Sequence, residues 1–261
     1  MADASNRWLR FRHDGRTGFG ELAADQVLVH EGELFGEHSP TGQRLRTDAI
    51  EWLTPCQPSK FVCIWNNFHA FASKQGLAVP AEPLYLIKGA NSYCAHEQPI
   101  RAPATYDGRV VYEGELGLVI GKRCSGVAPE QAAQCIFGYT CVNDVTAIEI
   151  IARDASFAQW TRAKSFDTFG VFGPVVATGL DASTLVVRTL VGGRERQDFP
   201  VSDMIFSPAQ LVSLISRDMT LEPGDLIACG TSIGVLPMKP GNVIEVSIDG
   251  IGTLRNEYRQ A

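Results

Sequence analysis

The chain has 261 residues, 45% of them hydrophobic and 20% charged, which suffices for one large domain, or one domain with a small appendage, around a sizeable core. A formal net charge of -6 with Lys and Arg scattered along the chain excludes a nucleic-acid footprint. No apolar run reaches the length of a membrane span, and the start Met-Ala-Asp-Ala-Ser-Asn lacks the basic-then-apolar order of a secretory signal, so a cytoplasmic protein without a membrane partner is expected.

Residues 1–55 alternate short strand-like pieces, such as Trp8-Leu-Arg-Phe11 and Gln26-Val-Leu-Val-His30, with turns at Asp14-Gly15 and Glu31-Gly32. They read as a small β-rich N-terminal domain. Pro55 to Ser59 reads as a linker, and residues 56–261 as the main domain, opening on the buried strand Lys60-Phe-Val-Cys-Ile-Trp65. Asn66 to Gly76 has helical character and stops at a glycine, with Pro80 and Pro83 beyond. A strand follows over Leu84–Lys88, and another over Val110–Ile120. Helices are predicted from Ala128 to Phe137, where Pro129 sits in the first turn, and from Ser207 to Ser216, where Ser207 caps and Pro208 follows. Residues 145–162 hold a third helical piece. The alternation after Gly241 turns back on itself at Asp249-Gly250 as a hairpin.

Seven cysteines at wide spacing, with no CxxC pair, describe buried thiols in a reducing compartment rather than a disulfide frame or a structural zinc. On a strand over Val110–Ile120, Glu113 and Glu115 share a face. Two adjacent carboxylates repel, so the pair is either a surface strand showing acids to water or a site where a cation offsets the repulsion. All five histidines lie at or before His96, so a metal site built from Glu113, Glu115 and Asp144 would be all-oxygen and would favour Mg²⁺, Mn²⁺ or Ca²⁺ over zinc. The same absence argues against a hydrolase elbow at Gly230-Thr-Ser232-Ile-Gly234, whose catalytic histidine should follow the serine.

Five segments in order resemble the fumarylacetoacetate hydrolase family: Glu113-Gly-Glu115-Leu, Gly138-Tyr-Thr-Cys-Val-Asn-Asp144, Lys164-Ser-Phe-Asp-Thr-Phe169, Leu221 to Val235 with its Gly230-Thr231 turn, and Gly250-Ile-Gly-Thr-Leu-Arg-Asn256. The resemblance runs in order from about residue 55 to the end and is to the branch of 2-hydroxyhepta-2,4-diene-1,7-dioate isomerases and acylpyruvate hydrolases. The resemblance implies an α+β, mainly β fold: a mixed β-sandwich-like roll, usually a homodimer, with Mg²⁺ or Mn²⁺ on Glu113, Glu115 and Asp144. It implies a small-molecule 2-oxo acid substrate whose enolate the metal stabilises. Lys164 matches the family's active-site lysine, Thr231 and Gly230 the substrate-carboxylate turn, and Lys88 is placed with them as a substrate contact.

Two departures bear on the reaction. Hydrolytic members carry a pattern like Asn-Tyr-x-x-His-x-x-Glu on the segment equivalent to 66–76, whose His and Glu activate water. Here those positions are Phe71 and Lys74, and the nearby His69 is the candidate replacement base. After Asp144 many members read Ser/Thr-Ala-Arg-Asp; this chain reads Thr146-Ala-Ile148-Glu149, without the arginine and with a less polar pocket implied by Phe71 and Ile148. Loss of a general base costs about 10² to 10⁴ in rate. An isomerase or decarboxylase of aromatic-compound catabolism, which needs an electron sink and no activated water, is therefore expected. Hydrolysis of acylpyruvate- or fumarylpyruvate-type substrates is the alternative, and a non-catalytic metal- and oxo-acid-binding protein the second.

Overall fold

The computed structural model describes residues 5–260. Met1 to Ala4, part of the start from which the lack of a secretory signal is read, lie outside the described residues. The largest sheet has twelve strands. Its central run is Gly170–Ala177, Ile136–Asp144, Gly114–Ile120, Leu226–Ala228, Phe61–Trp65 and finally Leu84–Lys88 at one edge. The amino-terminal strands Arg7–His13, Arg16–Ala23, Gln26–Gly32 and His38–Arg46 form a meander that continues this sheet, because Arg7 and Trp8 pair with Ala177 and Val176. A second sheet of five strands, including Val186–Val191, Arg194–Pro200, Val243–Ile248 and Gly252–Arg259, packs across the central run. The mainly β roll with a β-rich amino-terminal region is the fold the sequence leads one to expect.

Covering both faces of the central strands explains their composition. Gly114–Ile120 and Gly170–Ala177 are buried at every residue, so they read as continuous apolar runs and not as an alternation. Each fully buried Leu, Ile or Val on them contributes about 1.5–3 kcal/mol. The seven cysteines are all buried free thiols.

The helix His69–Gln75 ends at Gly76, whose φ of 65° is the left-handed conformation that glycine tolerates. Pro208–Asp218 starts at a capping box between Ser207 and Gln210. Two helical expectations shrink. Pro129–Ala132 is a single turn continued by a 3-10 turn to Cys135, and residues 145–162 give two short helices, Ile148–Ile151 and Trp160–Lys164.

The single strand expected over Val110–Ile120 is also corrected. Val110–Val111 pairs with Thr146–Ala147 in a separate two-stranded sheet, and the large sheet takes over at Gly114. At the step, the Glu113 amide donates to the side-chain Oδ1 of Asn143 at 3.0 Å instead of to a ladder carbonyl. The Asp144 amide in turn donates to the Glu113 carbonyl at 2.9 Å.

Candidate active site

The step in the chain brings acids together. Glu113 sits at the break, Glu115 two residues into the strand, and Asp144 at the end of the neighbouring strand, with one carboxylate oxygen from each lying within 4.8 Å of the others. Glu115 and Asp144 are each 1% exposed. The intervening Gly114 is a steric requirement, since a Cβ there would meet Thr189 Oγ1 at 2.0 Å. Its amide donates to Gln197 Oε1 at 3.0 Å, and its carbonyl accepts from Thr231 Oγ1 at 2.8 Å.

Two buried lysines converge on the same acids. Lys164, at the end of its short helix, donates to Glu113 Oε2 at 2.7 Å and to Asp144 Oδ2 at 2.5 Å. Lys88 donates to the other oxygen of Asp144 and to the Val145 carbonyl at 3.1 Å. Burial pushes the Glu113 carboxyl up against the pull of Lys164. Burial, then repulsion from Asp144 and Glu113, pushes Glu115 well above the carboxylate range. At Asp144 burial acts in the same upward sense, but Lys164 and Lys88 outweigh it and hold the carboxyl below its ordinary value. Burial opposes charge on Lys164 too, yet Asp144 and Glu113 raise its pKa, so it stays an ammonium.

These residues suit a divalent cation. The donor set is all oxygen, as hard cations prefer. A cation among the acids would reverse the repulsion from Asp144 and Glu113 that, after burial, disfavours the ionised form of Glu115.

A cavity of about 440 Å³ opens above the carboxylates, lined by Glu113, Glu115, Asp144, Lys164 and Thr231 at its inner end. With the fold and this centre described, similarity to known proteins becomes informative. The model of the fumarylacetoacetate (FAA) hydrolase C-terminal domain matches residues 60–259, and that of the Rv2993c-like N-terminal domain matches residues 6–55. The chain belongs to the fumarylacetoacetate hydrolase family. A protein of Archaeoglobus fulgidus is 41% identical over 95% of this chain and 94% of its own. The oxaloacetate tautomerase YisK of Bacillus subtilis is 36% identical over 77% of this chain and 70% of its own. Among solved structures, 2-hydroxyhepta-2,4-diene-1,7-dioate isomerase from Mycobacterium marinum is 34% identical, covers 98% of both chains and superposes with a TM-score of 0.89.

Within the family's pattern, both departures lie on the cavity wall. Phe71, at the position of the hydrolytic histidine, and Ile148, at the position of the arginine, line the cavity beside Ile64, Leu86, Val111 and Trp160. His69, the candidate replacement base, is exposed at the first position of its helix and does not line the cavity, because Phe71 and Gln75 occupy the inward-facing positions of that turn. Lys88 lies behind Asp144, 1% exposed, and acts on the carboxylate rather than facing the cavity as a substrate contact. Gly230 likewise serves Glu115: its amide donates to Oε2 at 2.8 Å. Its φ of 96° is one that side-chain-bearing residues rarely adopt, and a Cβ there would lie tightly against Ile64 O at 3.1 Å and Asn67 Cβ at 3.2 Å. Thr231 does line the cavity, although its hydroxyl already donates to Gly114 and accepts from Gln197 Nε2 at 2.9 Å.

Sequence reasoning passed over the residues that hold this arrangement. Thr146 Oγ1 donates to Glu113 Oε1 at 3.0 Å. Asn143 and Gln197 take backbone amides beside the acids. Asn67 ties the segment after Trp65 to the carbonyls of Phe206 and Cys229. A signal existed for two of them: Asn143 and Thr146 flank Asp144 in an otherwise apolar stretch, where a buried polar side chain needs a partner.

Proposed function

We propose that the protein is a divalent-metal-dependent enzyme that interconverts keto, enol or double-bond isomers of a 2-oxo or 2-hydroxydiene acid through an enolate. The carrying observation is the make-up of the cavity. Glu113, Glu115, Asp144 and Lys164 gather at one end, while no histidine and no further acid lies among its lining residues. Hydrolysis would need a base positioned to activate water, and the residues at the hydrolytic His and Glu positions, Phe71 and Lys74, supply none, whereas isomerisation returns the proton it removes to another atom of the substrate and consumes no water. The tautomerase and the isomerase named above support the same chemistry.

Mg²⁺ or Mn²⁺ held by Glu113, Glu115 and Asp144 would supply a Lewis acid that stabilises negative charge developing on the substrate. Lys164, kept protonated by Asp144 and Glu113, places a second positive charge at the same end and can donate a hydrogen bond to the substrate's oxygen. Thr231 and the Gly230 turn hold Glu115 and Gly114 in place. Phe71, Ile148, Leu86 and Trp160 keep water from the reacting carbon.

The test is product analysis with Mg²⁺ or Mn²⁺ over oxaloacetate, acylpyruvates and 2-hydroxydienedioates. An isomer of unchanged mass is expected; two acid fragments would make it a hydrolase, and CO₂ a decarboxylase. Full activity of Glu113→Ala after chelation would overturn metal dependence. We also propose a homodimer. Tyr85 and Ile87 on the edge strand Leu84–Lys88 are exposed, and Tyr85 shares a groove with Phe157, which is 70% exposed. Sedimentation equilibrium giving a monomer would refute this.

A further inference from the structure

The Ile148-Glu149 pair, where the sequence leaves the family's pattern, has a structural counterpart at the mouth of the cavity. Ile148 supplies apolar wall, and Glu149 turns the other way to hold a cation from a distant segment. Arg109 Nε donates to Glu149 Oε1 at 2.5 Å, and the Arg109 amide donates to Glu149 Oε2 at 3.0 Å. The Tyr106 hydroxyl donates to the same carboxylate. Arg109 lines the cavity and, among the described residues, is the one charged side chain there beyond the carboxylate and Lys164 end.

The way it is held matters. Glu149 engages Arg109 through Nε, while Nη1 and Nη2 have no protein acceptor among the described residues. That leaves one edge of a planar fork free at the mouth, with its orientation fixed from behind. Such an edge matches a carboxylate with two parallel N–H donors. Apart from Arg109, Lys164 and the carboxylates, the lining is mainly apolar, with Phe71, Val111, Ile148, Ile151, Leu236 and Trp160 and the polar Asn66, Gln75 and Thr231. Arg109 precedes Glu113 by four residues, so the two Cα atoms are at most about 14 Å apart, the reach of an extended chain.

We infer that Arg109 is a specificity-determining residue that binds the distal carboxylate of an α,ω-dicarboxylic 2-oxo acid, with Glu149 and Tyr106 as its positioning residues. The inference rests on the proposed function, since it needs the 2-oxo acid head at the carboxylate end. Because Glu149 balances the charge of Arg109, selection comes from two-point hydrogen bonding and not from long-range attraction. The carbon chain between the two carboxylates crosses the apolar wall, which rewards methylene or diene carbons and penalises hydroxylated ones.

The test is calorimetric binding to the Mn²⁺-loaded protein. Its probes are oxalate, and 2-oxopentanedioate, 2-oxohexanedioate and 2-oxoheptanedioate, each beside the mono-acid of equal length. At least one diacid is expected to bind about tenfold more tightly than its mono-acid, the scale of one charge-assisted contact. Arg109→Gln should remove that preference, Arg109→Lys should keep part of it, and Glu149→Gln should weaken it while leaving mono-acid binding unchanged. Oxalate should bind all four proteins alike. Equal binding of diacids and mono-acids by the natural protein, or a preference untouched in Arg109→Gln, would overturn the inference while oxalate binding upholds the site. Failure of oxalate itself to bind would overturn the proposed function, and the inference with it.

Discussion

At the inner end of the cavity, Lys164, Glu115 and Asp144 are nearly sealed from solvent, and each is gripped by groups from other elements. At the mouth, the side chains of Arg109 and Glu149 are 66% and 40% exposed and hold each other in water. The same chemistry, carboxylate against cation, has different weight in the two places. Buried, an unpaired partner is costly, so the inner groups are interdependent. Exposed, solvent screens the pair, and it contributes mainly orientation.

Substitutions can break or sharpen that contrast. The largest effect belongs to the acids: Glu115→Gln should abolish measurable Mn²⁺ binding by calorimetry and lower kcat/KM by about 10³-fold, since Lewis-acid stabilisation is worth several kcal/mol. Lys88→Met, which leaves one oxygen of Asp144 without its buried partner, should cost about 3–5 kcal/mol in urea unfolding of the metal-free protein. An equal cost for Arg109→Met would erase the distinction between the two ends.

The next effect is smaller and depends on pH. Burial would raise the Glu149 carboxyl, but its hydrogen bonds from Tyr106 and Arg109 outweigh this and lower it to about 2. A carboxyl depressed in the folded state contributes stability above its unfolded value near 4.5, and that contribution fades as pH falls towards 2. The natural protein should therefore melt above Glu149→Gln at pH 7, and the gap should close steadily below pH 4.5. A gap that widened on acidification would contradict the hydrogen bonding described. The smallest effect is expected at His69, which is exposed and off the cavity: His69→Ala should keep the turnover rate within about twofold, the usual range for surface substitutions.

Glu113 and Glu115 alone read equally well as a surface pair, and it is the ordered resemblance, which brings Asp144 and Lys164 in with matched segments, that marks the acids as a site. The sequence also shows the helix stop at Gly76 and the hairpin at Asp249-Gly250, where local backbone chemistry decides. Other features depend on distant partners. The break at Tyr112-Glu113 exists because the Asn143 side chain takes a ladder position. Lys88 is placed by the sequence among the substrate contacts, and only the fold shows it buried against Asp144. Glu149 and Arg109 are forty residues apart, and nothing local to either announces the pair. Phe71 could be read as a substitution within a pattern, but only the packing of its helix shows that Phe71 and Gln75 line the cavity while His69 is exposed.

Gln197 stands on the second sheet, yet its side-chain amide accepts from the Gly114 amide and donates to Thr231, whose hydroxyl closes back on the Gly114 carbonyl. This small ring rivets one sheet to the other at the strand that carries the acids. The Gly114 amide can therefore meet solvent only when the two sheets part, so its deuterium exchange reports the opening of the whole roll. The amides at the mouth, such as that of Arg109, can exchange through local fluctuation. The molecule would loosen first at the mouth, around Arg109 and Glu149, and last where it gathers the acids.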